Sequence, residues 1–224
     1  AGNEKRAAAG LTRQNWKSAV LIVLAFVGIY IVRTVVSVAV QGVSDGSGMQ
    51  YVKEWAAMFK NPMMWLNIAA LPINYFFVFI AFFGEEYGWR YYLQPVLQKR
   101  FGLRAGVIIL GVVWGLWHIP DDLFYYTQTS GIQMIFAQQI TCISLGIFFA
   151  YAYMKTQNIW VPVCLHYLNN NLIPIISGTF SADVLENQTV SWKDLPVALV
   201  LNGLCFGFFL LADVFKKKEV QEEE

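Results

Sequence analysis

Three charged residues, Glu85, Glu86 and Arg90, lie in the segment GEEYGWR, residues 84–90, between the apolar run NIAALPINYFFVFIAFF and the aromatic stretch YYLQPVL. Glu86 and Arg90 are four residues apart, so in a helix they share a face and can form an ion pair. Glu85 points about 100° away, because an α-helix has 3.6 residues per turn. The spacing therefore predicts that Arg90 neutralises Glu86 and that Glu85 stays free to act on something else.

The two histidines of the chain repeat this four-residue spacing. Trp114 precedes His118 by four residues, and His166 precedes Asn170 by four. The Trp114 indole can pack beside the His118 imidazole and fix its rotamer. His166 and Asn170 can donate hydrogen bonds toward one point, which is what a developing oxyanion requires.

These residues also fall at similar depths in the apolar segments that carry them. Glu85 lies 14 residues before the basic turn 99–104, and His118 lies 14 residues after it. At about 1.5 Å per residue, both are roughly 20 Å from that turn. His166 follows Lys155 by 11 residues, or roughly 16 Å. We therefore expect three helices to bring a glutamate and both histidines together.

The elements that must position these residues are membrane helices. The chain has 224 residues, of which 57% are hydrophobic and only 14% charged, and several apolar runs reach the length of about 20 residues that spans a bilayer. The sequence predicts an all-α polytopic membrane helix bundle with about six transmembrane helices and short amphipathic segments. The predicted spans are about 18–40, from 62 past 90, 105–120, 131–154, 158–177 and 195–215.

We predict one domain over residues 18–215, flanked by an N-terminal tail, 1–17, and a charged C-terminal tail, 216–224. Part of the N-terminal tail is expected to be a remnant of processing. Of the 16 Lys and Arg residues, 12 fall on the side of the termini, three on the other side (Lys53, Lys60 and Lys193) and one, Arg33, within the first span. The positive-inside rule then predicts cytoplasmic termini, in the plasma membrane of a prokaryotic cell.

Several polar residues have simpler interpretations. The cysteines Cys142, Cys164 and Cys205 lie in apolar runs and are expected to be small buried residues rather than disulfides. Asp121 and Asp122 follow a span and are expected in a solvated loop, and Arg33 is expected to snorkel or to pair. Asn170, with its neighbours Asn169 and Asn171, could also join helices. A net charge of +1 gives no indication of nucleic acid as a partner.

Three motifs, EEYGWR, WGLWH and HYLNN, follow one another on successive apolar segments. In that order they resemble the motifs of the CAAX protease and bacteriocin-processing family, also called CPBP or ABI, which read EExxxR, FxxxH and HxxxN or HxxxD. The resemblance covers about 85–171, which we take as the family core of the domain. Trp114 stands where the family usually has Phe, so an aromatic residue is kept.

The resemblance implies an intramembrane endopeptidase. In this family the first Glu and the first His activate a water, and the second His with the Asn or Asp stabilises the oxyanion. The implied catalytic residues are Glu85, His118, His166 and Asn170, with Glu86, Arg90 and Trp114 as structural support. The implied partners are membrane lipid and a membrane-associated peptide or protein substrate; in the eukaryotic branch that substrate is prenylated and loses its last three residues.

The residues alone leave other functional interpretations open. Glu85, His118 and His166 could form a zinc site of the His₂Glu type, although the HExxH motif is missing, and we expect a mechanism without a cofactor. A non-proteolytic immunity or scaffold protein could keep the same fold. Glutamate and histidine within a membrane would also suit a proton-coupled carrier.

Overall fold

The structure is a computed structural model, and it describes residues 10–11, 15–178 and 182–216. Most of the predicted N-terminal tail and residues 217–224 of the predicted C-terminal tail lie outside the described residues. Within the described residues the secondary structure is helical, without a strand. The predicted all-α membrane bundle is confirmed.

The elements follow one another along the chain, and we number the α-helices in order. They are α1 (Trp16–Ser44), α2 (Gln50–Met58), α3 (Pro62–Glu86), a π-helical segment (Tyr87–Leu93), α4 (Gln94–Phe101), α5 (Leu103–Trp117), α6 (Ile119–Phe124), α7 (Gly131–Thr156), α8 (Trp160–Ser177), α9 (Ala182–Glu186), α10 (Asp194–Cys205) and two 3₁₀ segments (Gly207–Leu211 and Asp213–Phe215).

Four helical stretches in the described part of the chain are long and apolar enough to cross a membrane, and they match the first four predicted spans. They are Trp16–Ser44, Pro62–Phe101, Leu103–Phe124 and Gly131–Thr156. The fifth predicted span is α8, which has 18 residues and contains His166 and three consecutive asparagines. The last predicted span, 195–215, is not one continuous helix.

That last span consists of α10, which ends at Cys205, followed by the two 3₁₀ segments. Two glycines, Gly203 and Gly207, flank the end of α10. Glycine weakens a helix by about 1 kcal/mol relative to alanine, which agrees with a change of helix type here.

Helix α3 and the π-helical segment together carry the EEYGWR motif. The side chain of Asn61 accepts a hydrogen bond from the Met63 backbone N–H, and Pro62 occupies the first turn, so the start of α3 is well defined. The helix changes to π geometry directly after Glu86. Such wide turns are rare and often lie at functional sites, and the residue spacing in the sequence does not predict this one.

Helix α7 lies at the centre of the bundle and supplies the core with Phe148 and Phe149. It approaches α5 closely, because Gly111 of α5 faces it: a Cβ atom on Gly111 would lie 2.6 Å from the Ile143 Cα atom. Small residues allow helices to approach in this way within membranes. This close packing holds α5, and with it Trp114, against the centre of the protein.

Candidate active site

The predicted ion pair between Glu86 and Arg90 is present. The Arg90 Nε and Glu86 Oε2 atoms are 3.2 Å apart, and both side chains are 0% exposed. The angle between them does not meet hydrogen-bond geometry, so the contact is a charge interaction rather than an aligned bond. A buried charge of this kind requires a partner, because desolvation costs several kcal/mol per ion.

The Arg90 guanidinium also lies between two aromatic rings. Its Cζ atom is 4.8 Å from the centroid of Trp114 on α5 and 5.1 Å from that of Phe149 on α7. Cation–π contacts of this length stabilise a desolvated cation by about 2 kcal/mol. Arg90 therefore joins the π-helical segment to both central helices.

His166 binds the same carboxylate from α8. Its Nδ1 atom lies 2.9 Å from Glu86 Oε1, and the imidazole is buried. Because a carboxylate only accepts hydrogen bonds, Nδ1 carries the hydrogen. The Nε2 atom of His166 is then an acceptor in the neutral ring and a donor only in the imidazolium. Sequence spacing assigned Glu86 to Arg90 alone and did not predict this contact.

Trp114 connects the two histidines. Its ring centroid is 5.8 Å from that of His118 and 5.4 Å from that of His166. The His118 Nδ1 atom is 2.9 Å from the Trp114 backbone oxygen, so Nδ1 again carries the hydrogen and Nε2 of the neutral ring is an acceptor. The indole packs beside the imidazole as predicted, and the backbone carbonyl fixes the tautomer.

Glu85 lies at a separate, more open position. It is partly buried and lines a cavity of about 370 Å³ together with Gly84, Gly88, Trp89, Tyr92, Leu93 and Trp117. Trp117 immediately precedes His118, and its ring is 6.3 Å from that of Trp89. Glu85 and the end of α5 therefore meet at one cavity, while the fully buried Glu86 faces the interior.

The run of three asparagines on α8 divides into two kinds. Asn169 accepts a hydrogen bond from the Tyr30 hydroxyl at 2.6 Å, and Asn171 accepts one from Asn74 Nδ2 at 3.1 Å, so both join helices. Asn170, one turn after His166, is exposed, and its Oδ1 atom accepts from Asn169 Nδ2 at 2.9 Å. The helix-joining interpretation thus applies to the two neighbours rather than to Asn170.

The alternative zinc set of Glu85, His118 and His166 does not form a preformed ligand group. No group of three or more His, Cys, Asp or Glu side chains able to hold a metal is found in residues 10–11, 15–178 and 182–216. Cys142 is buried as expected, whereas Cys164 and Cys205 are only partly buried; the Cys142 Sγ atom lies 3.8 Å from His118 Nδ1.

One expectation for this region is wrong. Asp122 was expected in a solvated loop, but it lies on the short helix α6 and is 0% exposed, whereas Asp121 is exposed. The backbone N–H of Asp122 donates to the His118 carbonyl, so the chain continues as a helical turn that directs this side chain inward. Neither carboxylate oxygen has a hydrogen-bond partner among the described residues. Its four-residue distance from His118 was the signal available in the sequence.

Comparison with known proteins supports the family resemblance. Residues 65–172, just under half of the chain, match the family model described as type II CAAX prenyl endopeptidase Rce1-like. The chain is also 27% identical over 125 residues to CAAX prenyl protease 2 of Methanococcus maripaludis; this covers 52% of the chain and 45% of that protein. The matching part thus spans less than half of this relative's length. No solved structure matches the chain.

The two matches confirm that the chain resembles the CAAX protease and bacteriocin-processing family of membrane proteins, and the matched segment contains all three motifs. The four apolar spans and this family relationship indicate an integral membrane protein. The roles of the individual site residues stay a prediction.

Because Arg90 and His166 share the Glu86 carboxylate, removal of its charge should strongly lower the free energy of unfolding. Glu86→Gln leaves Arg90 buried without its counter-charge, and breaking a buried pair in this way costs about 3–5 kcal/mol. Equilibrium unfolding in mixed detergent should show this decrease. Glu54→Gln, at an exposed position of α2, is the control and should change stability by less than about 0.5 kcal/mol. Equal stability of Glu86→Gln and wild type would contradict the central role of the pair.

Proposed function

We propose that this protein is an intramembrane endopeptidase that hydrolyses a peptide bond in a membrane-associated protein or peptide. The observation that carries the proposal is the convergence of the three motifs: His166 of the third motif binds Glu86 of the first, and Trp114 of the second contacts both histidines. A protein that used this fold only as a scaffold would not need a second acidic residue, Glu85, at the cavity beside the first motif.

The proposed first step is activation of water. Glu85 removes a proton from a water molecule that the Nε2 atom of His118 orients as a hydrogen-bond acceptor. The resulting hydroxide forms a bond to the carbonyl carbon of the scissile peptide, and the carbonyl π electrons move to oxygen. General-base assistance of this kind contributes about 10²–10⁴-fold in rate.

The oxyanion is stabilised by donors on α8. Asn170 donates from its side-chain Nδ2, and His166 donates from Nε2. Because Nδ1 of His166 donates to Glu86, the ring acts as a donor at Nε2 in its doubly protonated form, the imidazolium. When the carbonyl re-forms and the C–N bond breaks, protonated Glu85 returns its proton to the leaving amine.

We propose that the substrate is a lipidated, membrane-associated segment and that it binds in the cavity beside Glu85. Trp89, Tyr92 and Trp117 form aromatic walls of this cavity. The matched relative is called a CAAX prenyl protease, which makes a farnesylated CAAX peptide the first probe. The same peptide without the farnesyl group tests whether the lipid is required.

Substitution of the proposed base tests the mechanism. Glu85→Gln and His118→Ala, reconstituted in liposomes, should each cleave a fluorescence-quenched farnesylated CAAX peptide at least about 100-fold more slowly than wild type. Glu54→Gln should be unaffected. A second readout compares the peptides of cells carrying wild type or Glu85→Gln, so that an unlipidated substrate is also found.

Full cleavage by Glu85→Gln would exclude this residue as the base. If wild type cleaves neither probe and the two peptide profiles agree, the proteolytic proposal is wrong. A Glu85→Gln variant that still protects cells against a bacteriocin would then favour the alternative, a non-proteolytic immunity protein of the same fold.

Catalysis without a metal is part of the proposal. Activity of purified protein should therefore survive dialysis against a chelator, and metal analysis should find far less than one zinc per chain. Loss of cleavage on chelation, with recovery on adding one equivalent of zinc, would instead support the set Glu85, His118 and His166 as zinc ligands.

We also propose cytoplasmic termini, from the distribution of Lys and Arg. Alkaline phosphatase fused after Ser47, in the loop between α1 and α2, should be active because it is exported, whereas a fusion after Glu224 should be inactive. A fluorescent protein that folds only in the cytoplasm should give the reverse pattern. An inactive fusion after Ser47 together with an active fusion after Glu224 would show that the termini face away from the cytoplasm.

A further inference from the structure

We propose that Tyr30 and Asn169 are positioning residues that fix the orientation of the Asn170 amide. They form a chain of hydrogen bonds that holds the Asn170 oxygen and leaves its Nδ2 group free to donate to the oxyanion. The inference rests on the proposed function. It assigns a role to α1, which lies outside the segment 65–172 that matches the family.

An asparagine in an oxyanion site has to be held in one of two orientations. Its carboxamide has an oxygen that accepts and an NH₂ group that donates, and rotation by 180° exchanges them. Only the NH₂ group stabilises a negative oxygen. Asn170 is exposed, so packing does not select the orientation, and a hydrogen bond must do so.

The neighbouring residue provides that hydrogen bond. Asn169 Nδ2 donates to Asn170 Oδ1 at 2.9 Å, which occupies the oxygen and directs Nδ2 of Asn170 elsewhere. Asn169 is itself oriented from α1, because the Tyr30 hydroxyl donates to its Oδ1 atom at 2.6 Å. Reversal of the Asn169 amide would place its oxygen against the Asn170 oxygen and lose this bond.

A positive charge beside Tyr30 favours this direction of donation. The Arg33 guanidinium lies 5.8 Å from the centre of the Tyr30 ring, and a nearby cation makes a phenol a better donor and a poorer acceptor. Arg33 Nε donates to Asn202 Oδ1 of α10 at 2.8 Å, and Asn202 is only 2% exposed. Arg33 thus has a hydrogen-bond partner on another helix, which holds its guanidinium near Tyr30.

The ring of Tyr30 is held tightly enough to place its hydroxyl. It is 6% exposed and packs against Phe26 and Phe206, each with ring centroids 5.0 Å apart. These contacts remain when the hydroxyl alone is removed. Tyr30→Phe is therefore a conservative variant that breaks the hydrogen-bond chain and keeps the packing.

A double-mutant cycle distinguishes positioning from general support. With the farnesylated CAAX peptide, Asn170→Ala should lower kcat about 10²–10³-fold, as removal of an oxyanion donor does. Tyr30→Phe should lower kcat about tenfold with little change in KM, and it should cause no further loss in the Asn170→Ala background. Tyr151→Phe, in which the ring packed against Phe148 and Phe209 is kept, is the control and should leave kcat unchanged.

Affinity for a peptide phosphonate, a mimic of the tetrahedral intermediate, gives a second measurement when Asn170→Ala is too slow to assay. Tyr30→Phe should weaken phosphonate binding about tenfold, while binding of the uncleaved peptide to the Glu85→Gln form should not change when Tyr30→Phe is added. Weaker binding of both ligands would show that Tyr30 only supports the fold.

The outcomes separate this inference from the proposed function. If Asn170→Ala and Glu85→Gln are impaired but Tyr30→Phe is not, the positioning role is wrong and the proposed function stands. Equal losses from Tyr30→Phe with and without Asn170 would also overturn the positioning role. If Asn170→Ala and Glu85→Gln are fully active, the proposed mechanism is wrong and the positioning role fails with it, whereas the proposed function itself fails only if wild type cleaves no peptide.

Discussion

The structure depends on one buried carboxylate with two partners. Glu86 faces the Arg90 guanidinium on one side and the His166 imidazole on the other, with both partners and the acid itself removed from solvent. Each charge would be unstable alone in this environment. Glu86 and Arg90 are four residues apart on one continuous helical stretch and can pair locally, whereas the contact with His166 forms only when α8 docks against that stretch. The rings of Trp114 and Phe149 close the cluster from α5 and α7.

Neighbouring residues of the same type lie in different environments around this carboxylate and on α8. Glu86 is committed to the interior, so its neighbour Glu85, rotated by about 100°, reaches the cavity beside Trp117. The asparagines of α8 divide in the same way: Asn169 and Asn171 bind Tyr30 and Asn74 on other helices, and Asn170 between them is exposed. In both motifs, residues that hold the helices together alternate with a residue available for chemistry.

Features that depend on helical periodicity could be predicted from the sequence, whereas contacts that depend on packing between distant segments could not. The Glu86–Arg90 pair, the packing of Trp114 beside His118 and the first four spans follow from local spacing and apolar length. The Glu86–His166 contact joins residues 80 positions apart, and no local pattern encodes it. The π-helical segment and the burial of Asp122 likewise depend on how the helices dock. The break after Cys205 had a local signal, the glycines beside it, but apolar length outweighed it in the prediction.

The two histidines are held in the same way but by different acceptors. Both rings use Nδ1 for a fixed hydrogen bond, so only Nε2 is available in each. His118 Nδ1 faces a backbone carbonyl, and in the proposed mechanism its Nε2 accepts a hydrogen bond from water. His166 Nδ1 faces the Glu86 carboxylate, and in the proposed mechanism its Nε2 donates to the oxyanion. The proposal thus gives the same side chain opposite hydrogen-bonding roles at two positions, and in both the bond at Nδ1 fixes the ring so that Nε2 is the atom left for chemistry.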